Sequence, residues 1–472
     1  MGSVLSSGSP RSSIDYYDEL LVLQSETCKK QKIFSRFDED SARLIPVFPD
    51  ELSIQILARL PRLHYLKMRL VSRKWKETIM DPDLYKLRKE LGMTEQWLYV
   101  LTKVEEENIV WRAMDPLSGK WLRLPPIPNI TIEEEPTSLW KMVGPRTKLA
   151  EFIRGWLGEK SGSDNTQFCG SGIAAIDGCL YVLGGLSRAS TMKNVWRFDP
   201  IQMAWSEVTP MSIGRAYCKT SILNNKLYVV GGVTRGPGGL IPLQSAEVFD
   251  PCTGTWSQVP SMPFSRAHLL PNAFLADMLK PIATGMISYM GRLHVCQSLY
   301  SWPFFFDAGG EIYDPETNSW ADMPNGMGDG WPQRQAGTKL SVVIDGELYA
   351  CDPSTSPMDN GKIKVYDQKE DAWKVVIKNV PINDSTNSDS PYLLAGFHGK
   401  LHVITKDENC HVVVLQAIPP DDLCPWQSSS STSGLLHEVS DSPSGSESVV
   451  WKAIGTRDLG PAELVSCQVL EM

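Results

Sequence analysis

The stretch GSGIAAIDGCLYVLGGLSRASTMKNVWRFDPIQMAWSEVTP, from Gly170 to Pro210, decides the fold. It holds four short apolar segments, and residues that favour turns separate them. One of these turns is Asp177-Gly178, a pair that supplies the positive φ angles of a tight hairpin. The stretch therefore predicts four short β-strands that follow one another along the chain.

The spacing between Asp199 and Trp205 recurs throughout the sequence. Trp follows Asp by six residues at Asp115–Trp121, Asp199–Trp205, Asp250–Trp256, Asp314–Trp320 and Asp367–Trp373. Tryptophan is scarce, at 15 of 472 residues, so five matches at one spacing are not an effect of composition. They indicate a repeated unit, and units of this size build arrays such as propellers.

The other positions of the unit have mechanical roles. An aromatic residue precedes Asp in four copies, and we expect it to pack between adjacent sheets while Trp covers the next sheet. These aromatic residues are Phe198, Phe249, Tyr313 and Tyr366. The paired glycines Gly184-Gly185 and Gly231-Gly232 suit places where two backbones approach closely.

The repeated unit resembles the kelch repeat. It has paired glycines after an apolar strand, followed by Tyr/Phe-Asp-Pro and then by Trp six residues after Asp. In that family each repeat is one blade of a β-propeller. The paired glycines are present in two copies, so the limits of the later blades are less well defined by the sequence than the architecture is.

The number of blades follows from the two ends of the array. Residues 97–125 predict only three strands, and residues 463–472 predict a single unassigned strand. Because an open sheet edge is a liability, we expect 463–472 to complete the first blade. The predicted fold is thus α plus all-β, with six blades closed by the C-terminal strand. The blades are about 97–125 with 463–472, 169–210, 215–260, 285–324, 336–380 and 392–455, with long insertions at 126–168 and 419–448.

Loop lengths divide between the two faces of the propeller. Short hairpins and Asp-to-Trp connections fall on one face, and most long segments fall on the other, where binding usually resides. Two long loops, 147–158 and 271–281, carry apolar residues at helical spacing. Two interpretations of these helices stay open: they cap the propeller, or one of them receives a partner.

Residues 46–92 form a different module, PVFPDELSIQILARLPRLHYLKMRLVSRKWKETIMDPDLYKLRKELG. Its pattern is helical: Pro49 suits a helix start, and Leu52, Ile56, Leu57 and Leu60 are assigned to one stripe. About 45 residues cannot bury so many large apolar groups alone. These side chains therefore pack on the propeller or receive another protein.

This module resembles the F-box in three patterns: Pro-Asp-x-Leu, Ile-Leu-x-Arg-Leu-Pro and Leu-x-x-Arg-x-Val-x-x-x-Trp. Two positions depart from the family pattern, since Phe48 stands where the family usually has Leu and Ser72 where it often has Cys. F-boxes dock a Skp-type adaptor of a cullin-RING ubiquitin ligase. The resemblance assigns the adaptor interface to Pro49, Leu52, Ile56, Leu60, Leu66, Val71 and Trp75. The alternative is internal packing, which fits Trp75 and Leu70 best.

The two modules together resemble a plant-type F-box/kelch protein. The implied function is substrate-recognition subunit of a Skp–cullin–F-box ubiquitin ligase, in which the F-box binds the adaptor and the propeller binds an unknown target protein. The other hypothesis is a kelch interaction scaffold that engages no ligase. Strand direction predicts that the F-box lies on the short-loop face, opposite the target.

Composition suits a protein of the cytoplasm or nucleus. A net charge of −9 argues against nucleic acid, and ten cysteines without Cys-x-x-Cys pairs favour reduced thiols. No apolar run approaches the ~20 residues needed to span a bilayer. Residues 1–45 are interpreted as a flexible arm. Its start, MGSVLS, matches Gly2 and Ser6 of a myristoylation signal, although such matches often occur by chance and one acyl chain anchors only marginally.

The sequence argues against an enzyme. Sialidase Asp boxes place Trp five residues after Asp, not six, so they do not match. Copper oxidases built on kelch repeats need Tyr, Cys and His, and only His398 and His402 lie close together here. No nucleophile–base arrangement or phosphate loop is present, so no catalytic residue, metal or cofactor is expected.

Three arginines, Arg215, Arg266 and Arg334, each precede a first strand at the long-loop face. A ring of arginines there would grip an acidic or phosphorylated target through bidentate hydrogen bonds. The alternative, which the repeat position favours, is that they brace neighbouring blades.

Overall fold

A computed structural model describes residues 43–104, 108–128, 170–187, 190–236, 239–264, 280–301, 304–331, 341–352, 361–382, 392–418, 449–460 and 462–472. The chain divides into two compact units. The first comprises the residues up to Glu95 together with Lys120–Leu124 and Met472, and the second comprises the remainder. Each is described by itself.

The first unit is helical, as its sequence pattern predicts. Its helices are α1 (Asp50–Ala58), a 3-10 turn (Arg62–His64), α2 (Tyr65–Met68), α3 (Arg73–Met80) and α4 (Pro82–Glu90). Pro49 precedes α1, and side-chain oxygens cap the two last helices. Ser72 Oγ accepts from Trp75 N at 3.2 Å, and Asp81 Oδ1 accepts from Asp83 N at 2.9 Å.

Six side chains form the core of this unit: Leu44, Leu57, Ala58, Tyr65, Ile79 and Leu84. Arg88 is buried beside them with 1% of its surface exposed. Its guanidinium donates to the carbonyl oxygens of Ala58 and Leu60 and forms a 2.7 Å ion pair with Glu95. Because the buried charge has several acceptors, it ties α4 to the end of α1.

Six four-stranded antiparallel sheets form the blades of the propeller. Blade 1 consists of β1 (Gln96–Val104), β2 (Asn108–Asp115), β3 (Lys120–Arg123) and β26 (Glu463–Glu471). Blade 2 consists of β4 (Gly172–Ile176), β5 (Cys179–Leu183), β6 (Val195–Asp199) and β7 (Ala204–Val208). Blade 3 consists of β8 (Lys219–Leu223), β9 (Lys226–Val230), β12 (Ala246–Asp250) and β13 (Thr255–Val259). An extra hairpin, β10 (Val233–Gly236) and β11 (Gly239–Pro242), lies between β9 and β12.

Blades 4–6 have the same four-strand plan. Blade 4 consists of β14 (Lys280–Tyr289), β15 (Arg292–Ser301), β16 (Phe304–Asp314) and β17 (Ser319–Asp322). Blade 5 consists of β18 (Ser341–Ile344), β19 (Glu347–Asp352), β20 (Gly361–Asp367) and β21 (Ala372–Val380). Blade 6 consists of β22 (Tyr392–Phe397), β23 (Lys400–Lys406), β24 (Val412–Ile418) and β25 (Val450–Arg457). A short helix, α5 (Asn325–Gly330), follows blade 4. The expectation of six blades is confirmed.

Closure by the C-terminal strand is also confirmed. Strand β26 pairs antiparallel with β1, from Gln96 opposite Glu471 to Lys103 opposite Glu463, and occupies the first position of blade 1. It also joins the neighbouring blades, since Cys467 Sγ lies 3.2 Å from Leu394 O of blade 6 and Gln468 Nε2 donates to Ile173 O of blade 2 at 3.2 Å. One strand therefore seals the ring on both sides.

The Asp of each repeat fixes the turn between the third and fourth strands. Its Oδ1 accepts backbone N–H groups two or three residues further on, as when Asp250 accepts from Cys252 at 2.9 Å. Two residues before Trp, the backbone turns left-handed in every copy. These left-handed residues are Gly119, Met203, Gly254, Asn318 and Asp371. The constant spacing thus reflects one turn geometry.

The Trp of the repeat joins its blade to the preceding one. In four copies its Nε1 donates to a carbonyl just beyond the last strand of the previous blade: Trp205 to Pro125, Trp256 to Thr209, Trp320 to Pro260 and Trp373 to Met327. The aromatic residue before Asp packs as expected between sheets. Phe249 lies 6.0 Å from Tyr181 of blade 2, and Tyr313 lies 5.8 Å from Tyr228 of blade 3, measured between ring centroids.

The paired glycines stand where two backbones meet, as expected. Gly184 has φ of +62°, and a Cβ there would lie 2.1 Å from Arg215 O. We expect Gly184→Ala to lower the free energy of unfolding by about 2–4 kcal/mol, from overpacking and a left-handed backbone together. Gly254 is the matched control, because its φ is +68° and no atom lies within 4 Å of its Cβ position. Equal losses for the two alanine variants in urea unfolding would contradict this account.

One blade boundary differs from the expectation drawn from the sequence, and several expected segments lie outside the described residues. Blade 4 begins at Lys280 rather than at 285, because β14 continues through an irregularity between Ala283 and Gly285. The helices predicted at 147–158 and 271–281 lie outside the described residues, apart from Lys280 and Pro281, which begin β14. The arm at 1–45 is described only from Arg43 onward, and insertion 419–448 is not described.

Candidate functional site

Between residues 47 and 71 the helical unit carries five large apolar side chains that its own core does not use. They are Val47, Phe48, Leu52, Ile56 and Val71, with 78%, 40%, 48%, 38% and 60% of their surfaces exposed. These residues are called the exposed apolar set. A small unit with a filled core gains nothing internally from such side chains, and exposed apolar groups that cluster typically mark a contact surface.

Helix geometry explains which residues of α1 are exposed. Leu52 and Ile56 are four residues apart and share one face, whereas Leu57 is turned about 100° from Ile56. Leu57 is fully buried in the core of the unit. The assignment of Leu52, Ile56, Leu57 and Leu60 to a single stripe was therefore wrong, because α1 buries Leu57 in the core and leaves Leu52 and Ile56 exposed.

Asp50 holds the start of α1 in place. Its Oδ1 accepts from Leu44 N at 2.7 Å, and its Oδ2 pairs with Lys74 Nζ of α3 at 2.8 Å. The backbone hydrogen bond from Leu44, followed by the one from Lys74, lowers the pKa of Asp50. The residues just before α1, including Val47 and Phe48, are thereby anchored at both ends.

The seven residues assigned to the adaptor interface fall into two groups. Pro49, Leu52, Ile56 and Val71 are exposed. Leu60, Leu66 and Trp75 are partly buried, and Leu60 and Trp75 pack against the helical core. Trp75 Nε1 also donates to Leu44 O at 2.7 Å, so the internal-packing alternative describes this residue.

Sequence reasoning missed Val47, which is the most exposed member of the set. Phe48 was noticed only as a departure from the family pattern. A signal was available, because an apolar pair directly before a helix-starting Pro49 lies outside the helical repeat and cannot join the helix stripe.

In the propeller, Arg215 lies in a buried network. It is 0% exposed, and its Nε donates to Glu247 Oε1 at 2.9 Å, with Glu247 equally buried. Its remaining nitrogens donate to Gly231 O, Ser245 O and Ser245 Oγ. The backbone of Arg215 bonds instead to blade 2, where its carbonyl accepts from Gly185 N and its N–H donates to Met192 O.

The expectation that Arg215 contacts a target was wrong, because no part of its side chain reaches solvent and a buried carboxylate already occupies it. The bracing alternative is the one observed. The sequence contained the partner, Glu247, at a strand position flanked by buried Ala246. Arg266 and Arg334 lie outside the described residues, as does Gly2, and their assigned roles stay predictions.

His402, one of the two histidines considered for copper, is part of the packing of blade 6. Its ring stacks on Phe397 at 3.6 Å between centroids, and 1% of the residue is exposed. Burial lowers its pKa to about 4. In the described part of the chain, no three His, Cys, Asp or Glu side chains converge into a possible metal site.

Buried neutral histidines make the fold sensitive to acid. Burial also lowers the pKa of His294 to about 4, and an unfolded histidine titrates near 6.5. The unfolded state then binds more protons, so stability is full above pH 6.5 and falls as the pH drops toward 4. We expect a loss of up to about 3 kcal/mol per histidine over this window. His402→Gln should flatten the decline in urea unfolding between pH 6.5 and 4; an unchanged slope would contradict the assignment.

No helix within the described ranges is both long and apolar enough to span a membrane. The described cysteines are free thiols, and burial raises the pKa of Cys179 and Cys218 to about 11. Such thiols behave as small apolar side chains rather than nucleophiles.

A helical module with an exposed apolar set and a propeller of kelch-type blades define a two-module architecture. Comparison with known proteins agrees. The F-box domain family matches residues 45–87, and the Kelch motif family matches residues 167–212 and 214–263.

Among three relatives, two carry both modules in their names, and the third is named as an F-box protein. F-box/kelch-repeat protein At1g22040 of Arabidopsis thaliana is 59% identical over 480 residues, with 100% of both chains covered. F-box protein AFR of the same plant is 26% identical, over 66% of this chain and 68% of its own. F-box/kelch-repeat protein At1g67480 is 26% identical, over 77% and 80%. The chain belongs to the F-box/kelch-repeat protein family.

Proposed function

We propose that this protein is the substrate-recognition subunit of a Skp–cullin–F-box ubiquitin ligase. The helical unit binds a Skp-type adaptor, and the propeller binds the target protein that the ligase modifies. The observation that carries the proposal is the exposed apolar set, which stands beside a core that is complete without it.

Energetics support a stable adaptor contact. Burying a Val, Leu, Ile or Phe side chain is worth about 1.5–3 kcal/mol, and the set already begins partly desolvated by its neighbours. Four or five such side chains at the centre of an interface suffice for a specific complex. Leu52, Ile56 and Val71 form its predicted centre, and Val47 and Phe48 extend it.

The protein acts as a receptor and not as a catalyst in this proposal. The buried pair of Arg215 with Glu247 is satisfied internally and braces the blades. No cofactor is required. Action in the cytoplasm or nucleus, where such ligases and reduced thiols occur, is part of the same proposal.

Co-purification with a Skp-type adaptor tests the function. The wild-type chain is expected to capture the adaptor, and the capture should depend on Leu52 and Ile56. Failure of the wild type to capture any adaptor would favour the alternative, a kelch scaffold that engages no ligase.

A further inference from the structure

Lys219 begins β8, the first strand of blade 3. Cys218 and Thr220 lie against Gly172 of blade 2. Side chains alternate along a strand, so Lys219 lies on the other surface, which faces blade 4. Leu223, which has the same parity as Lys219, packs there with Ala283 and Leu293 of blade 4.

Lys219 carries a charge that the described residues leave without a counter-ion. No ion pair or hydrogen bond joins its amine to any of them, whereas Lys226 of the same blade lies 3.3 Å from Asp250 Oδ2. Glu247, a carboxylate of the same blade, is bound by Arg215 and Ser212. Lys219 is partly buried, and burial lowers its pKa to about 8. A cation in such a place gains from an added anion more than a fully hydrated lysine does.

Apolar groups surround the start of β8. Leu186, Ala216, Val233 and Ile282 form a small cluster drawn from blades 2, 3 and 4, with Tyr217 and Leu240 packed against it. Ile241 of the β10–β11 hairpin is 37% exposed beside Leu240. This hairpin joins the second and third strands of blade 3, and such connections lie on the long-loop face.

Tyr217 is held in an unusual backbone conformation at this position. Its φ is +57°, and its N–H donates to Gly170 O at 2.6 Å. A left-handed backbone at a bulky residue costs about 1–3 kcal/mol, and such strained residues are found at ligand-binding sites as well as in tight turns. The strained tyrosine therefore stands two residues before a lysine that has no counter-ion among the described residues.

We infer that Lys219, which follows the apolar cluster residue Ala216 and the adjoining Tyr217, receives an Asp or Glu carboxylate of the target protein next to an apolar target residue. The inference rests on the proposed function and names the part of the propeller that reads the target. A single lysine matches a single carboxylate, whereas a phosphate is usually held by several arginines. Arg215, the nearest arginine in the sequence, is already engaged by Glu247.

The experiment uses the full chain and three synthetic peptide libraries. Each library has degenerate twelve-residue peptides rich in apolar residues, and one central position holds Asp or Glu, Asn or Gln, or phosphoserine. We expect the wild type to retain the carboxylate library at least about 10-fold better than the amide library, and Lys219→Met to remove this preference. Lys226→Met is the matched control, because that lysine lies in the same blade and already pairs with Asp250.

Each outcome decides the inference. Equal retention of carboxylate and amide peptides by the wild type overturns it, as does a preference that survives Lys219→Met. Stronger retention of phosphoserine peptides overturns the choice of carboxylate. Thermal unfolding of each variant identifies loss of folding, and a Lys219→Gln variant supplies a second test if the methionine variant unfolds. Adaptor capture is measured on the same preparations, so a failure of the ligase proposal is recognised separately.

Discussion

Deleting residues 463–472 is expected to prevent the propeller from folding. The deletion removes β26, which supplies the first strand of blade 1 and contacts blades 2 and 6. It also removes the buried side chains of Leu464, Cys467 and Leu470. At about 1.5–3 kcal/mol each, these account for roughly 5–9 kcal/mol, which approaches the whole stability of a typical protein. The measurement is soluble yield with circular dichroism and thermal unfolding.

Point variants grade the same effect. Leu464→Ala is expected to cost about 2–5 kcal/mol, because Leu464 is 2% exposed. Its neighbour Glu463 is exposed, and Glu463→Ala should stay within about 0.5 kcal/mol of the wild type. A truncated chain that unfolds at the wild-type temperature would show that β26 does not close the ring.

Replacing Leu52 and Ile56 together by Asp is expected to abolish capture of a Skp-type adaptor. Both side chains are exposed, so the charges should leave the helical unit folded. Loss of two partly exposed apolar contacts, together with the cost of burying two unpaired carboxylates in the interface, weakens binding at least about 100-fold. Pull-down followed by titration of purified adaptor measures the change.

The control lies on the same helix. Gln55 is exposed between the two replaced residues, and Gln55→Asp adds a charge to α1 without removing an apolar contact. It should retain adaptor capture at close to the wild-type level. Capture that is unchanged in the Leu52→Asp, Ile56→Asp variant would remove the basis for the adaptor proposal.

The repeated Asp-to-Trp spacing was enough to predict the propeller, since it reports a turn that must be built in the same way in every blade. Asp250 accepts two turn amides, Gly254 is left-handed, and Trp256 reaches the preceding blade. Turn geometry of this kind can be predicted from the sequence, because the residues that form the turn are close together in the chain. Closure by β26 was also predictable, because an unpaired edge at one end required a strand at the other.

The candidate site was less predictable, because burial depends on partners that are distant in sequence. Nothing in the residues around Arg215 distinguishes an exposed cation from one paired with Glu247, which lies in a later strand. Likewise, Ile56 and Leu57 are neighbours of the same type, and only the placement of α3 and α4 decides that Leu57 is the buried one. Spacing assigns a residue to a face, but packing decides what covers that face.

Strand β26 also sets the order in which the parts of the protein can complete their folding during synthesis. Gln96 and Glu463 are about 370 residues apart, so roughly 20–75 seconds of ribosomal synthesis separate β1 from its partner at 5–20 residues per second. During that time the helical unit has all its residues from Arg43 to Glu95, while blade 1 has an open edge. The nascent chain therefore has a complete helical segment well before it has a closed propeller. A premature stop anywhere in the blades leaves an unpaired strand edge, which is prone to aggregation unless a chaperone covers it.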